Sequence, residues 1–128
     1  MKLTLPWILL PATLLMVAAC SQEVVEPPPE LTVVSGYMVD PEAVARGEAL
    51  FTGTCADTCH TFEPAVTDAT FLFDCVWQQS IDDETIAETI KSGIPNTRMV
   101  GFGSNFPGGE DDLWKLIAYL RSNPRQCD

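Results

Sequence analysis

The apolar and polar positions of this chain change pattern four times. Leu3 to Ala19 is an almost unbroken apolar run behind Met1 and Lys2, interrupted by Pro6 and Pro11. From Ser21 to Gly36 no apolar face repeats, and Glu23, Glu26, Pro27, Pro28, Pro29 and Glu30 set the character. Beyond that point three segments carry apolar residues at helical spacing. The first opens with Asp40 as an N-cap, Pro41 at the first helical position and Glu42 at the positive end of the dipole. Gly47 and Phe51 lie four apart and share one of its faces. A glycine inside a helix costs up to ~1 kcal/mol against alanine, so Gly47 calls for a packing reason unless the helix frays there and the glycine is incidental. The second segment opens with Ser80-Ile81-Asp82-Asp83, shaped like a capping box, places Ile86 and Ile90 on one face, and ends at Gly93 with Pro95 forbidding its continuation. The third starts near Gly109 with Glu110, Asp111 and Asp112, runs through Leu113, Trp114, Leu116, Ile117, Tyr119 and Leu120 to Arg121, and is closed by Pro124. Residues 61–74 predict no regular element. Alternating apolar runs never exceed a few positions, and there is no internal repeat, so an all-α domain is expected.

The apolar N-terminal run is too short and too interrupted for a membrane span, which needs ~20 continuous apolar residues, and it reads as an export signal. Its end, Val17-Ala18-Ala19-Cys20, resembles the lipobox of bacterial lipoproteins. That resemblance implies an acylated Cys20 as the mature N-terminus; an ordinary cleaved signal with an incidental Cys20 is the alternative. Ser21 resembles the residue found in lipoproteins sorted to the outer membrane. The expected location is the periplasmic face of a bacterial cell envelope, with the outer membrane favoured over the inner. The consecutive prolines favour an extended tether at ~3.1 Å per residue, although residues 31–34 could instead pair as a short strand. Three regions follow: a signal over 1–19, a tether over 20–36 and one domain over 37–128.

The chemistry centres on Cys55-Ala56-Asp57-Thr58-Cys59-His60, two thiols followed by the only histidine of the chain. Each thiol can add to a haem vinyl group while the adjoining imidazole becomes an iron ligand. The usual motif has two residues between the cysteines; here there are three. Around it the order is familiar: Gly47 and Phe51 upstream, Gly93-Ile94-Pro95-Asn96-Thr97-Arg98-Met99 downstream, then the aromatic last helix. Together, from about Val39 to Ser122, these resemble a class I monohaem cytochrome c with His/Met-ligated iron.

The resemblance implies a small cytochrome c-like fold of three to four helices around one covalently bound haem, with the first and last helices crossing at Gly47, Phe51, Leu116 and Tyr119. A haem would give so short a chain an apolar body to pack around. It implies one haem c held by Cys55 and Cys59, with His60 and Met99 as axial ligands. Apart from the signal, Met38 and Met99 are the only methionines, and Met38 precedes the haem motif. The longer loop leaves open whether both thiols bond the haem or Cys59 alone. In this family a carbonyl beside a proline accepts a hydrogen bond from the proximal imidazole; Pro64 is the only proline in the matching stretch. Of the five cysteines, Cys75 and Cys127 then remain, and in an exported protein they are expected to form a disulfide.

Function follows the same line: one-electron transfer by a tethered carrier between redox proteins, a dehydrogenase or reductase on one side and a terminal oxidase on the other. An enzyme is not expected, because iron would occupy His60 and six-coordinate iron leaves no open position. With 7 basic and 18 acidic residues the net charge is −11. That excludes nucleic acid as a ligand, which needs a basic footprint, and suits either docking to basic patches on redox partners or simple solubility. Arg98, beside Met99, is a candidate for a propionate or partner contact, or a solvated charge. Two other readings compete. Cys55, Cys59 and His60 could bind or deliver copper, although such families place more ligands on a different scaffold. A lipoprotein held by disulfides, including Cys55 to Cys59, leaves His60 and Met99 without a role. Zinc would need further ligands that the sequence does not offer.

Overall fold

The computed structural model describes residues 31–56, 59–125 and 127. The signal, Cys20 and most of the tether lie outside them. Among the described residues there are five α-helices: α1 Val33–Met38, α2 Pro41–Phe51, α3 Cys75–Ser80, α4 Asp83–Ser92 and α5 Glu110–Ser122, with a π-helical turn over Thr52–Ala56 extending α2. Among the described residues there is no strand, only two isolated bridges, and no helix is long and apolar enough to cross a membrane.

The caps form where the chain supplies short acceptors. Asp40 accepts from the N–H groups of Glu42 and Ala43 at 2.9 and 3.3 Å, and Asp82 accepts from Thr85 at 2.7 Å. Helix α5 has no side-chain cap at Gly109. Instead Asp112, one turn in, reaches back to accept from the Gly108 N–H at 2.8 Å. Its carboxylate is buried and takes a bidentate pair from Arg46 of α2 at 2.9 and 2.6 Å. The Arg46 guanidinium, first, and the Gly108 N–H hold that carboxyl below the usual range.

Helices α2 and α5 cross in direct backbone contact. A Cβ on Gly47 would stand 2.1 Å from the Lys115 carbonyl oxygen and 2.7 Å from Tyr119 Cβ, so only glycine fits. Leu116, expected beside it, lines the cavity described below. Next to the crossing, fully buried Phe51 meets Phe62, Phe73 and Tyr119 at ring distances of 5.3, 5.2 and 5.8 Å. Burying a large apolar side chain contributes roughly 1.5–3 kcal/mol, so this cluster is a main anchor of the domain.

Two short helices escape the sequence reading. Residues 33–36, taken above as the end of the tether, begin α1, and the possible strand over 31–34 does not form. Val34 is buried in the core. The Tyr37 hydroxyl donates to Asp111, and Lys115 Nζ lies 5.5 Å above the Tyr37 ring, tying α1 to α5. Helix α3 follows Asp74, whose carboxylate accepts from the Trp77 N–H at 2.7 Å. A disulfide joins Cys75, at its start, to Cys127.

Candidate functional site

A cavity of about 500 Å³ opens between two loops. One begins in the π turn, which carries Cys55, and continues through Cys59 and His60. The other runs from α4 to α5 and carries Arg98, Met99 and Val100. Leu72, Trp77, Ile86, Ile90, Leu116 and Leu120 supply much of the apolar wall between them. Volumes of ~300–1,000 Å³ with apolar walls and a few polar groups are typical of cofactor sites.

Backbone hydrogen bonds close the stretch from Cys55 to His60. The Cys55 carbonyl accepts from the Cys59 N–H at 3.3 Å and from the His60 N–H at 3.0 Å. The second bond spans five residues, which is the π-helical pattern. Cys55, Cys59 and His60 all line the same cavity. Both thiols are free. Burial, and secondarily Cys59, pushes the Cys55 thiol up to about 11, so it stays protonated near neutrality.

His60 is fixed in one tautomer. Its Nδ1 lies 2.9 Å from the Thr70 carbonyl, which can only accept, so Nδ1 carries the proton and donates. In the neutral ring it is then Nε2 that holds the lone pair. The carbonyl that orients the imidazole is therefore Thr70, not one beside Pro64. No sequence signal marked it, because nine residues without regular structure lie between donor and acceptor.

Met99 is held by its backbone. Ile94 donates to the Met99 carbonyl at 3.0 Å, and the Met99 N–H donates to Thr97 Oγ1 at 3.1 Å. Phe102 and Gly103 then donate back to Ile90 and Lys91 of α4, each at 2.9 Å. Asn96 sits at φ +61°, and Pro95-Asn96 suits the centre of a type II turn. Gly93, at φ +71°, and Gly101 lie back to back: a Cβ on Gly101 would stand 2.5 Å from the Lys91 carbonyl oxygen. Arg98 is not a free charge. Its guanidinium makes a two-point ion pair with Asp68, also at the cavity, with Nε to Oδ2 at 3.1 Å.

The residues present fit a covalent haem: two free thiols, an imidazole with Nε2 available, and a thioether, all lining one apolar cavity. Among the described residues no group of three or more His, Cys, Asp or Glu is arranged to hold a metal ion, and nothing favours the copper reading of Cys55, Cys59 and His60. An all-α fold closed by crossing helices, with these groups around its cavity, defines a c-type cytochrome domain. Residues 42–120 match the family model described as cytochrome C oxidase, cbb3-type, subunit III, and the chain belongs to that family. No curated protein and no solved structure matches it. Membership makes it a haem-based electron-transfer protein with a covalently bound haem c, working with redox partners.

Proposed function

We propose that this protein is a lipid-tethered electron carrier of the bacterial cell envelope, in which Cys55 and Cys59 both bond a single haem and His60 and Met99 are its axial ligands. The single observation that carries the reading is the convergence of these four side chains on one cavity, with the His60 tautomer already set by Thr70. When bound, the haem supplies a one-electron Fe(III)/Fe(II) couple, and His/Met ligation favours a higher potential than more strongly donating pairs. The chain's own residues do the rest. The π turn presents Cys55 and its carbonyl holds the amides of Cys59 and His60, Thr70 holds the imidazole proton away from the iron side, and the Ile94–Gly103 ladder holds Met99. Leu116, Leu120 and Ile90 keep water from the buried face.

Cys20 would carry the lipid and residues 21–32 the reach from the outer membrane. The acidic surface suits basic docking patches, and the family's title names an oxidase, in keeping with a terminal oxidase as electron acceptor and a dehydrogenase or reductase as donor. A pyridine haemochrome spectrum with intact mass, on protein matured with haem in the periplasm, tests the core of the reading. One haem with two thioethers is the expected result. A single thioether would remove Cys55 from the attachment, and a haem-free product loaded with copper would overturn the reading.

A further inference from the structure

The stretch 61–73 carries the carbonyl that fixes His60, yet it contains no helix or strand of its own. Its two ends meet at a residue from the far end of the chain. Arg125 Nη1 donates to the Phe62 carbonyl and to the Glu63 carboxylate. The Arg125 backbone N–H donates to the Phe73 carbonyl at 2.7 Å, and its guanidinium lies 5.3 Å from the Phe73 ring centre. The rings of Phe62 and Phe73 stack across the same neck, 6.2 Å apart and 17° from parallel. Arg125 is itself held, since its carbonyl accepts from the Cys75 N–H at 3.1 Å and Cys127 is bonded to Cys75.

We propose that Arg125 is the positioning residue for His60: by closing the neck of the 62–73 loop it places the Thr70 carbonyl where the imidazole Nδ1–H donates to it. The proposal rests on His60 as an iron ligand for its consequence, not for its geometry. A donated Nδ1–H makes the ring a more basic ligand, which favours ferric over ferrous iron. The C-terminal tail thereby tunes a haem bound some sixty residues earlier in the chain.

His60 is the only histidine, so its imidazole nitrogen signals can be assigned without ambiguity. The test compares the full mature chain with Arg125→Gln and Arg125→Lys, each haem-free and haem-loaded. Without haem, nitrogen NMR should show the Nδ1–H tautomer in the parent, a mixture in Arg125→Gln, and an intermediate population in Arg125→Lys, which keeps a donor and the charge above Phe73. With haem, the Arg125→Gln equilibrium should shift about threefold toward ferrous iron, which at 59 mV per tenfold is ~28 mV upward. A purely structural Arg125 would lower the melting temperature while tautomer and potential stayed at parental values, and that result overturns the proposal. Should Arg125→Gln not fold, Arg125→Lys decides by the same two readouts. Failure of the parent to take up haem would sink the function proposed above, while the haem-free spectra would still decide the role of Arg125.

Discussion

The two loops that face each other across the cavity are held by different means. The Met99 loop is held mainly by backbone: paired amides from Ile94 to Gly103 run back onto the end of α4, and two glycines let the backbone segments touch. The His60 loop is held from outside, by Gln78 of α3, by Arg125 and by the disulfided tail. One is a local structure that carries its own instructions. The other exists only because distant parts of the chain arrive in place. The first should therefore be sensitive to local backbone changes, and the second to tertiary ones.

The largest test removes the tertiary support. Cys75→Ser with Cys127→Ser opens a cross-link between residues 52 apart in sequence. In the chain-entropy model this lowers stability by about 4 kcal/mol. Denaturant unfolding would measure it. If the comparison holds, hydrogen exchange should rise in 61–74 well before it rises in 94–103; uniform loosening of both loops would break the comparison.

The converse is Gly101→Ala. An added Cβ meets the Lys91 carbonyl oxygen at 2.5 Å and the Ser92 carbonyl carbon at 2.7 Å, both backbone atoms of α4 that cannot rotate away. Overpacking of this kind costs roughly 1–3 kcal/mol. In haem-loaded protein the loss should appear first in the iron–thioether absorption band, with the His60 tautomer unchanged.

The same contrast explains what the amino-acid order reveals. Helices α2, α4 and α5 are legible because Asp40, the polar start before Ile86, Gly93 and the acidic start of α5 are punctuation read within a few residues, although α4 is capped by Asp82 and not by Ser80, which ends α3. The close approach at Gly47 is legible for a related reason, since a glycine in a helix interior needs a neighbour. The Met99 loop carries its own marks in Pro95 and its glycines. Helices α1 and α3 have six residues each, too few to show a period. Their cause lies in Val34 and Tyr37 meeting α5, and in Gln78 reaching Leu120. The Thr70 carbonyl is invisible for a deeper reason: any backbone oxygen can accept, and which one does is decided by the path of the chain.

Gln78 offers the next test. Its side chain is buried and donates to the Leu72 carbonyl at 2.9 Å and to the Leu120 carbonyl at 2.8 Å, joining the His60 loop to the last turn of α5. Gln78→Ala leaves two acceptors short of a donor and should cost about 2 kcal/mol. Gln78→Glu, acceptor-only when ionised, should do worse at neutral pH and recover partly in acid. Equal stability of the two variants across pH would show that the amide is not the link between loop and helix.

The smallest expected effect falls on the only described hydrogen bonds that join the two loops directly, those between Arg98 and Asp68. Both side chains are about two-thirds exposed, and pairs of this kind contribute little to stability. Arg98, first by hydrogen bonding and then by charge, holds the Asp68 carboxyl below its ordinary range. A depressed folded-state pKa means that the contribution is present above the unfolded value and disappears as pH falls through the folded one. Asp68→Asn should therefore lie marginally below the parent in melting temperature at neutral pH and low salt, converge with it in acid below about pH 4, and converge with it at any pH in molar salt, where screening reaches ~3 Å. The two loops are built independently, and a bridge between them that each can lose is what independent construction requires. A large destabilisation by Asp68→Asn, persisting in salt, would mean that the loops support one another and that the contrast between them is overdrawn.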